Sequence, residues 1–274
     1  MPDTGDKRIK LDIEDHLALI TIARPEKLNA LDYEMVLALE RAAHMVDGMD
    51  AIRCCIIKGE GEKSFCAGGD IEAWSTWSPE NFGLAWVRHG HRAFDALTRL
   101  RVPLVAALNG HTLGGGLELA ATADFRIAET HVKLGSPETG LGIIPGWSGT
   151  QRTVRRFGSQ AVRRMALLGE IFAADEALKL GIVDRVVEKG KSLTAARQMA
   201  SQLSLRGPLA TSITKMLINA AEGEEVERTL EGLAGLAAAN SPISKLGWRR
   251  FEKSARLASE EVKNLRGQKV AQTN

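Results

Sequence analysis

Two glycine-rich segments and two glutamates are the parts of this 274-residue chain whose residue types and spacing could do chemistry. Ser64-Phe65-Cys66-Ala67-Gly68-Gly69-Asp70-Ile71 follows a strand-like run, and Asn109-Gly110-His111-Thr112-Leu113-Gly114-Gly115-Gly116-Leu117-Glu118 runs from a strand into a helix. Consecutive glycines let backbone N–H groups approach a ligand with no Cβ in the way. A helix beginning at 114–116 also aims its free N–H groups and the positive end of its dipole at whatever sits there. Such donors suit a developing oxyanion, where one of them is worth about 3–4 kcal/mol in the transition state. Tight strand–helix packing also calls for glycine, so one such segment is ambiguous, and two in one chain favour chemistry.

Glu118 lies one turn into the glycine-led helix, among Leu117, Leu119, Ala120 and Ala121. Burial there raises a carboxyl pKa and the helix N-terminus lowers it, so the two influences oppose each other. Glu138 follows in Gly135-Ser136-Pro137-Glu138-Thr139-Gly140-Leu141-Gly142, a loop with no other charge. Paired carboxylates in an apolar cleft are equipped to move a proton and activate a water. Spacing along the chain does not by itself bring the two together.

Other motifs fail on chemistry. Gly59-Glu60-Gly61-Glu62-Lys63-Ser64 places Glu62 where a phosphate-binding loop needs glycine before its lysine. Gly146-Trp147-Ser148-Gly149-Thr150 has threonine where a nucleophile elbow needs its last glycine. His89 and His91 lack a third ligand at metal spacing, and read as the solvated face of a helix. The three cysteines, Cys54, Cys55 and Cys66, form no CxxC pair.

The elements around these residues alternate. Residues 8–23 read as two strands, 32–47 as a helix capped by Asp32, 54–58 as a buried strand and 79–100 as a long helix. Strands at 102–108 and 125–128 flank a short helix at 114–123. Helices then dominate (148–157, 159–167, 173–179, 191–205, 208–221 and 224–239), interrupted by one strand at 182–187. This is α/β alternation followed by a helical region. The net charge of +2 argues against a dedicated nucleic-acid binder. The charged N-terminus reads as no signal peptide and no apolar run is long enough to span a bilayer, so a cytoplasmic enzyme is expected.

Taken together, ARPEKLNALD (23–32), SFCAGGDI (64–71), NGHTLGGGLELAATADFRIA (109–128), GSPETGLGIIPGWSGTQR (135–152) and GIVDRVV (181–187) resemble, in order and spacing, the crotonase (enoyl-CoA hydratase/isomerase) superfamily. The resemblance covers roughly residues 8–240. It implies an α/β fold, a spiral of ββα repeats with a C-terminal helical trimerisation region. Residues 1–200 would form the core with the thioester site, and 201–274 the helical region. It implies an oxyanion hole from the N–H groups of Ala67 and Gly115, with Glu118 as the base that deprotonates the water and Glu138 as the acid that protonates C2. It implies substrate contacts from Lys27, Leu28, Ala30, Cys66, Gly68, Gly69, Asp70, Ile71, Gly114, Pro137, Leu141, Gly146 and Trp147, with Lys27 a phosphate contact.

The implied reaction is reversible syn addition of water to a trans-2-enoyl-CoA, since single-carboxylate isomerases usually keep only the second glutamate. An isomerase, a specialised dehydratase or lyase, and a non-catalytic or RNA-binding scaffold are the other readings. The two glutamates weigh against the scaffold. No metal or redox cofactor is needed, coenzyme A being part of the substrate. Expected partners are an acyl-CoA and further copies of the chain, as a trimer or a dimer of trimers, with no nucleic acid and no membrane.

Two departures stand out. The tail around Trp248-Arg249-Arg250, Phe251 and Lys253 keeps only a partial match. Trp147 replaces a small residue of a PGxGGTQR pattern, and with Trp74, Trp77 and Trp86 it would narrow the acyl pocket for a short or flat group.

Overall fold

The apolar alternation near the N-terminus closes into an antiparallel hairpin, β1 (Ile9–Glu14) and β2 (Leu17–Ile22), with Ile9 opposite Ile22 and Asp15 left-handed in the turn (φ 50°). The protein is described from a computed structural model, which covers residues 2–224, 226, 229 and 231–233. The expected helix over 224–239 and the basic tail lie largely or wholly outside the described residues. The chain divides into two units, Met1–Glu222 and Gly223–Asn274. The division expected after residue 200 falls inside a helix, Ser192–Ser204, where the sequence carries no linker.

After β2 the strands are β3 (Cys54–Gly59), β4 (Ser64–Cys66), β5 (Leu104–Leu108), β6 (His111–Leu113), β7 (Phe125–Glu129), β8 (Lys133–Gly135), β9 (Phe172–Ala173) and β10 (Arg185–Val187). They sort into two sheets, β1-β2-β3-β5-β7-β10 and β4-β6-β8-β9. From β3 to β8 the chain lays one strand in the first sheet, the next in the second, and then turns back. That is the ββα spiral the resemblance implies. All pairings inside the spiral are parallel, with Cys55 opposite Leu104 and Val105 opposite Phe125 in the first sheet. Parallel strands are covered on both faces. In β3, Cys55 and Ile57 face the main core, whereas Cys54 and Ile56 face Ala195, Ala196 and Ala200. This explains why the cysteines stand free and buried, with Cys54 and Cys66 thiols pushed up to about 12 by desolvation.

The helices are α1 (Tyr33–Asp47), α2 (Ile71–Trp74), α3 (Pro79–Asn81), α4 (Arg88–Thr98), α5 (Gly115–Ala120), α6 (Gly149–Phe157), α7 (Ser159–Leu168), α8 (Ala174–Lys179), α9 (Ser192–Ser204) and α10 (Pro208–Ala221). Asp32 caps α1 by accepting from the Met35 N–H at 3.1 Å. The long helix expected over 79–100 is α3 and α4 joined by a π-helical stretch, Phe82–Val87. Phe82, Trp86 and Val87 from this stretch and His91 from α4 line one cavity, which Ala67, Gly69, Glu118 and Glu138 also line.

Candidate active site

β4 delivers the first glycine segment and β6 the second, and the two segments touch. A Cβ on Gly116 would fall 1.9 Å from the Cys66 carbonyl oxygen, and one on Gly68 would fall 3.0 Å from the Gly115 nitrogen. Gly114 adopts φ 55°, ψ −127°, a backbone that only glycine takes comfortably, and donates its N–H to the Gly135 carbonyl at 2.9 Å. That turn starts α5, so the Gly115 N–H at its first position has no intrahelical acceptor.

The other segment is pinned by Leu31, whose N–H donates to Gly68 O (2.8 Å) and whose carbonyl accepts from the Asp70 N–H (2.7 Å). In this parallel bridge Gly69 is the central residue, so its own N–H points away from Leu31, and Gly69 lines the cavity. Ala67 is different. Its N–H donates to the Leu28 carbonyl at 3.1 Å, so the expected oxyanion donor is already committed within the protein. Among the described residues, Gly69 and Gly115 line the cavity with N–H groups that have no backbone acceptor, and Gly69 stands two residues beyond Ala67 on the first segment.

Both glutamates line that cavity, which holds about 630 Å³. Glu118 is 5% exposed and Glu138 7%. The Trp147 N–H donates to Glu118 Oε1 at 2.7 Å, and the N–H groups of Gly146 and Gly149 also face this carboxylate. Desolvation nevertheless dominates and pushes Glu118 up to about 7, with the negative charge of Glu138 adding to the rise. Glu138 is likewise raised, again by burial, against the Ser136 Oγ–H that donates to its Oε2 at 2.7 Å. Its other oxygen, Oε1, is buried with no protein partner and faces Gly114. The opposed influences on Glu118 thus resolve in favour of burial, and one oxygen of Glu138 is left for a ligand.

The remaining walls are mostly apolar: Trp74, Phe82, Trp86, Val87, Leu141, Ile143, Ile144 and Trp147. Trp147 is 3% exposed and packs on Trp86 and Phe94, with ring centroids 4.9 and 5.1 Å away. It is both core and wall. Its indole occupies space left by Gly90, where a Cβ would fall 2.0 Å from the ring. A glycine inside α4 is the sequence signal that could have placed this tryptophan. Trp77 packs on Tyr33 and Trp86 and does not line the cavity. Ala67 also borders a second recess of about 760 Å³, lined by Leu28, Lys63, His111, Leu113, His131 and Lys189 among others.

Of the expected contact residues, Gly68, Gly69, Ile71, Gly114, Pro137, Leu141, Gly146 and Trp147 line the cavity, and Leu28 lines the recess. Four do not line either. Cys66 is fully buried, with its Sγ 3.5 Å from the Gly68 nitrogen. Asp70 caps α2 and pairs with Arg24 at 2.8 Å. The Ala30 carbonyl accepts from Arg24 Nη1. Lys27 extends outward to Glu72 at 2.5 Å. The solvated reading of His91 is also corrected, because it is half-buried with Nδ1 2.6 Å from Ser148 Oγ. Sequence reasoning missed Ser136, which holds Glu138. It also missed Asn29, whose side chain ties Glu60 O and Ser64 O beneath β4. Among the described residues no group of three or more His, Cys, Asp or Glu is placed to hold a metal ion, and no helix is long and apolar enough to cross a membrane.

The model of the enoyl-CoA hydratase/isomerase family matches residues 12–242. A crotonyl-CoA hydratase of Syntrophomonas wolfei is 35% identical over 227 residues, which are 82% of this chain and 86% of that one. A short-chain-enoyl-CoA hydratase of Clostridium acetobutylicum is 36% identical over 212 residues, 76% of this chain and 80% of that one. The solved structure of an enoyl-CoA hydratase from Bacillus anthracis superposes with a TM-score of 0.77 at 29% identity, over 90% of this chain and 97% of that one. The chain belongs to the enoyl-CoA hydratase/isomerase family, has its crotonase fold, and is a hydratase-like enzyme.

Proposed function

We propose that the protein adds water reversibly across the C2=C3 bond of a trans-2-enoyl-CoA. The observation that carries this is the meeting of two buried carboxylates in one cavity, one of them with an unpartnered oxygen, beside two free backbone N–H groups. The thioester carbonyl oxygen accepts from Gly69 and Gly115, which stabilise the enolate-like charge as it grows. In the hydration direction Glu118, held by the turn 146–149, acts in its ionised form and takes a proton from the attacking water, and Glu138 acts in its protonated form and delivers a proton to C2 through Oε1. In dehydration the roles reverse. The reading needs no cofactor beyond the coenzyme A of the substrate.

The recess that shares Ala67 with the cavity, lined by Leu28, Lys63 and Leu113 among others, suits the pantetheine arm. The aromatic walls favour a short or flat acyl group, in keeping with the crotonyl and short-chain names of the two curated relatives. The test is incubation with crotonyl-CoA and mass analysis of the product. Gain of one water supports the reading, whereas conversion of a 3-enoyl-CoA to its 2-enoyl isomer with no hydration of crotonyl-CoA contradicts it.

A further inference from the structure

The turn that holds Glu118 is built in a conformation its sequence does not favour. Ser148 sits at φ 66°, ψ 17°, the left-handed region where glycine is at ease and other residues are strained. It precedes α6, but its side chain does not cap that helix. Its Oγ lies instead 2.6 Å from Nδ1 of His91 on α4, and Ser148 is 6% exposed. On either side of it stand the backbone N–H groups that face the Glu118 carboxylate, Trp147 at 2.7 Å and Gly149. A Cβ on Gly149 would fall 2.2 Å from Glu118 Oε1, so this turn has little room to move without moving the carboxylate.

We propose that His91 is a positioning residue: its hydrogen bond to Ser148 Oγ latches the 146–149 turn in its left-handed form and thereby keeps the Trp147 and Gly149 N–H groups on Glu118. The charged groups that face His91 are Asp95, one turn along α4, and Arg152 on α6, and these two pair with each other at 2.7 Å. They join the same two helices a second time, so the latch closes a frame that is already held on one side. Burial lowers the imidazole's pKa from its usual value, with Asp95 opposing and Arg152 adding to the fall. Either tautomer makes the bond, with Ser148 Oγ–H donating to Nδ1 or Nδ1–H donating to Oγ. The inference rests on Glu118 being the base of the proposed reaction.

The experiment compares His91→Leu, Ser148→Ala, His91→Asn and the double variant His91→Leu/Ser148→Gly with the intact chain. It reads crotonyl-CoA hydration across pH and thermal unfolding in parallel. His91→Leu and Ser148→Ala should each lower kcat by about tenfold or more with little change in KM, as loss of groups that orient a catalytic side chain does. The acid limb of the pH profile should also move to higher pH, because a carboxylate that loses N–H donors holds its proton more tightly. His91→Asn, whose amide reaches the Nδ1 position, should restore both.

The deciding variant is the double one. Glycine adopts the left-handed turn without a latch, so Ser148→Gly should rescue His91→Leu in kcat, acid limb and melting temperature. A His91→Leu enzyme with the parent kcat and acid limb overturns the proposal, and so does a double variant no better than His91→Leu. If the intact chain hydrates no enoyl-CoA, the functional reading fails. The latch is then still decided by whether Ser148→Gly rescues the melting temperature of His91→Leu.

Discussion

Glu118 is the point where stability and activity pull in opposite directions, and Glu118→Gln exposes the conflict. Its carboxyl is raised from 4.5 to about 7 by burial. At about 1.4 kcal/mol per unit, ionising it in the folded state costs about 3 kcal/mol. Because the folded pKa lies above the unfolded one, the native state holds a proton that the unfolded chain has lost between those values. That contribution to stability is therefore fully present below 4.5 and is lost as pH rises through about 7.

Glutamine keeps the shape and the acceptor for the Trp147 N–H but never ionises. A neutral amide is a weaker acceptor than a carboxylate for the N–H groups of this turn, a loss of about 1 kcal/mol. The variant should thus be no more stable than the parent near pH 5, and more stable by about 2 kcal/mol above pH 8. Urea unfolding at fixed protein concentration, with midpoints compared at equal m-value, measures this directly. A stability difference that does not change between the two pH values would refute the assignment of a costly buried charge to Glu118.

The same shift sets the activity profile, since hydration with Glu118 as base should lose kcat/KM as pH falls below about 7; a flat profile down to pH 5 removes Glu118 from that role. Gly90→Ala gains about 1 kcal/mol of helix propensity, yet places a Cβ 2.0 Å from the Trp147 ring. We expect a lower melting temperature, recovered by Trp147→Phe, and a rise instead would show that the indole can shift freely. Exposed Leu209, Leu217 and Ile218 leave apolar surface on α10. Light scattering should give a mass three or six times that of one chain, and a monomer at micromolar concentration would contradict the expected assembly.

What the sequence revealed and what it hid follow from the range of the interactions involved. β1, β2, β3, β5 and β7 carry enough alternating or continuous apolar residues to be read in isolation. The second sheet does not, because β4, β6, β8 and β9 have only two or three residues each, and only their neighbours make them strands. Yet β4 and β6 are what deliver the two glycine segments to each other. The glutamates were legible as residue types in apolar, glycine-rich surroundings. Their meeting was not, since it depends on how far the spiral advances per turn.

The choice between Ala67 and Gly69 was equally hidden. It turns on which N–H is consumed, and the partners are Leu28 and Leu31 in a distant loop. His91 reads with His89 as a polar helix face because its partner Ser148 lies 57 residues further along the chain, on the turn before α6.

The most direct test of the account is kcat/KM for crotonyl-CoA hydration by Glu118→Gln and Glu138→Gln, each shown to be folded by its melting curve. Loss of the base or of the acid removes a factor of about 10²–10⁴ from the rate. The account predicts such a loss in both variants. Full activity in either one would contradict the two-carboxylate mechanism at its centre.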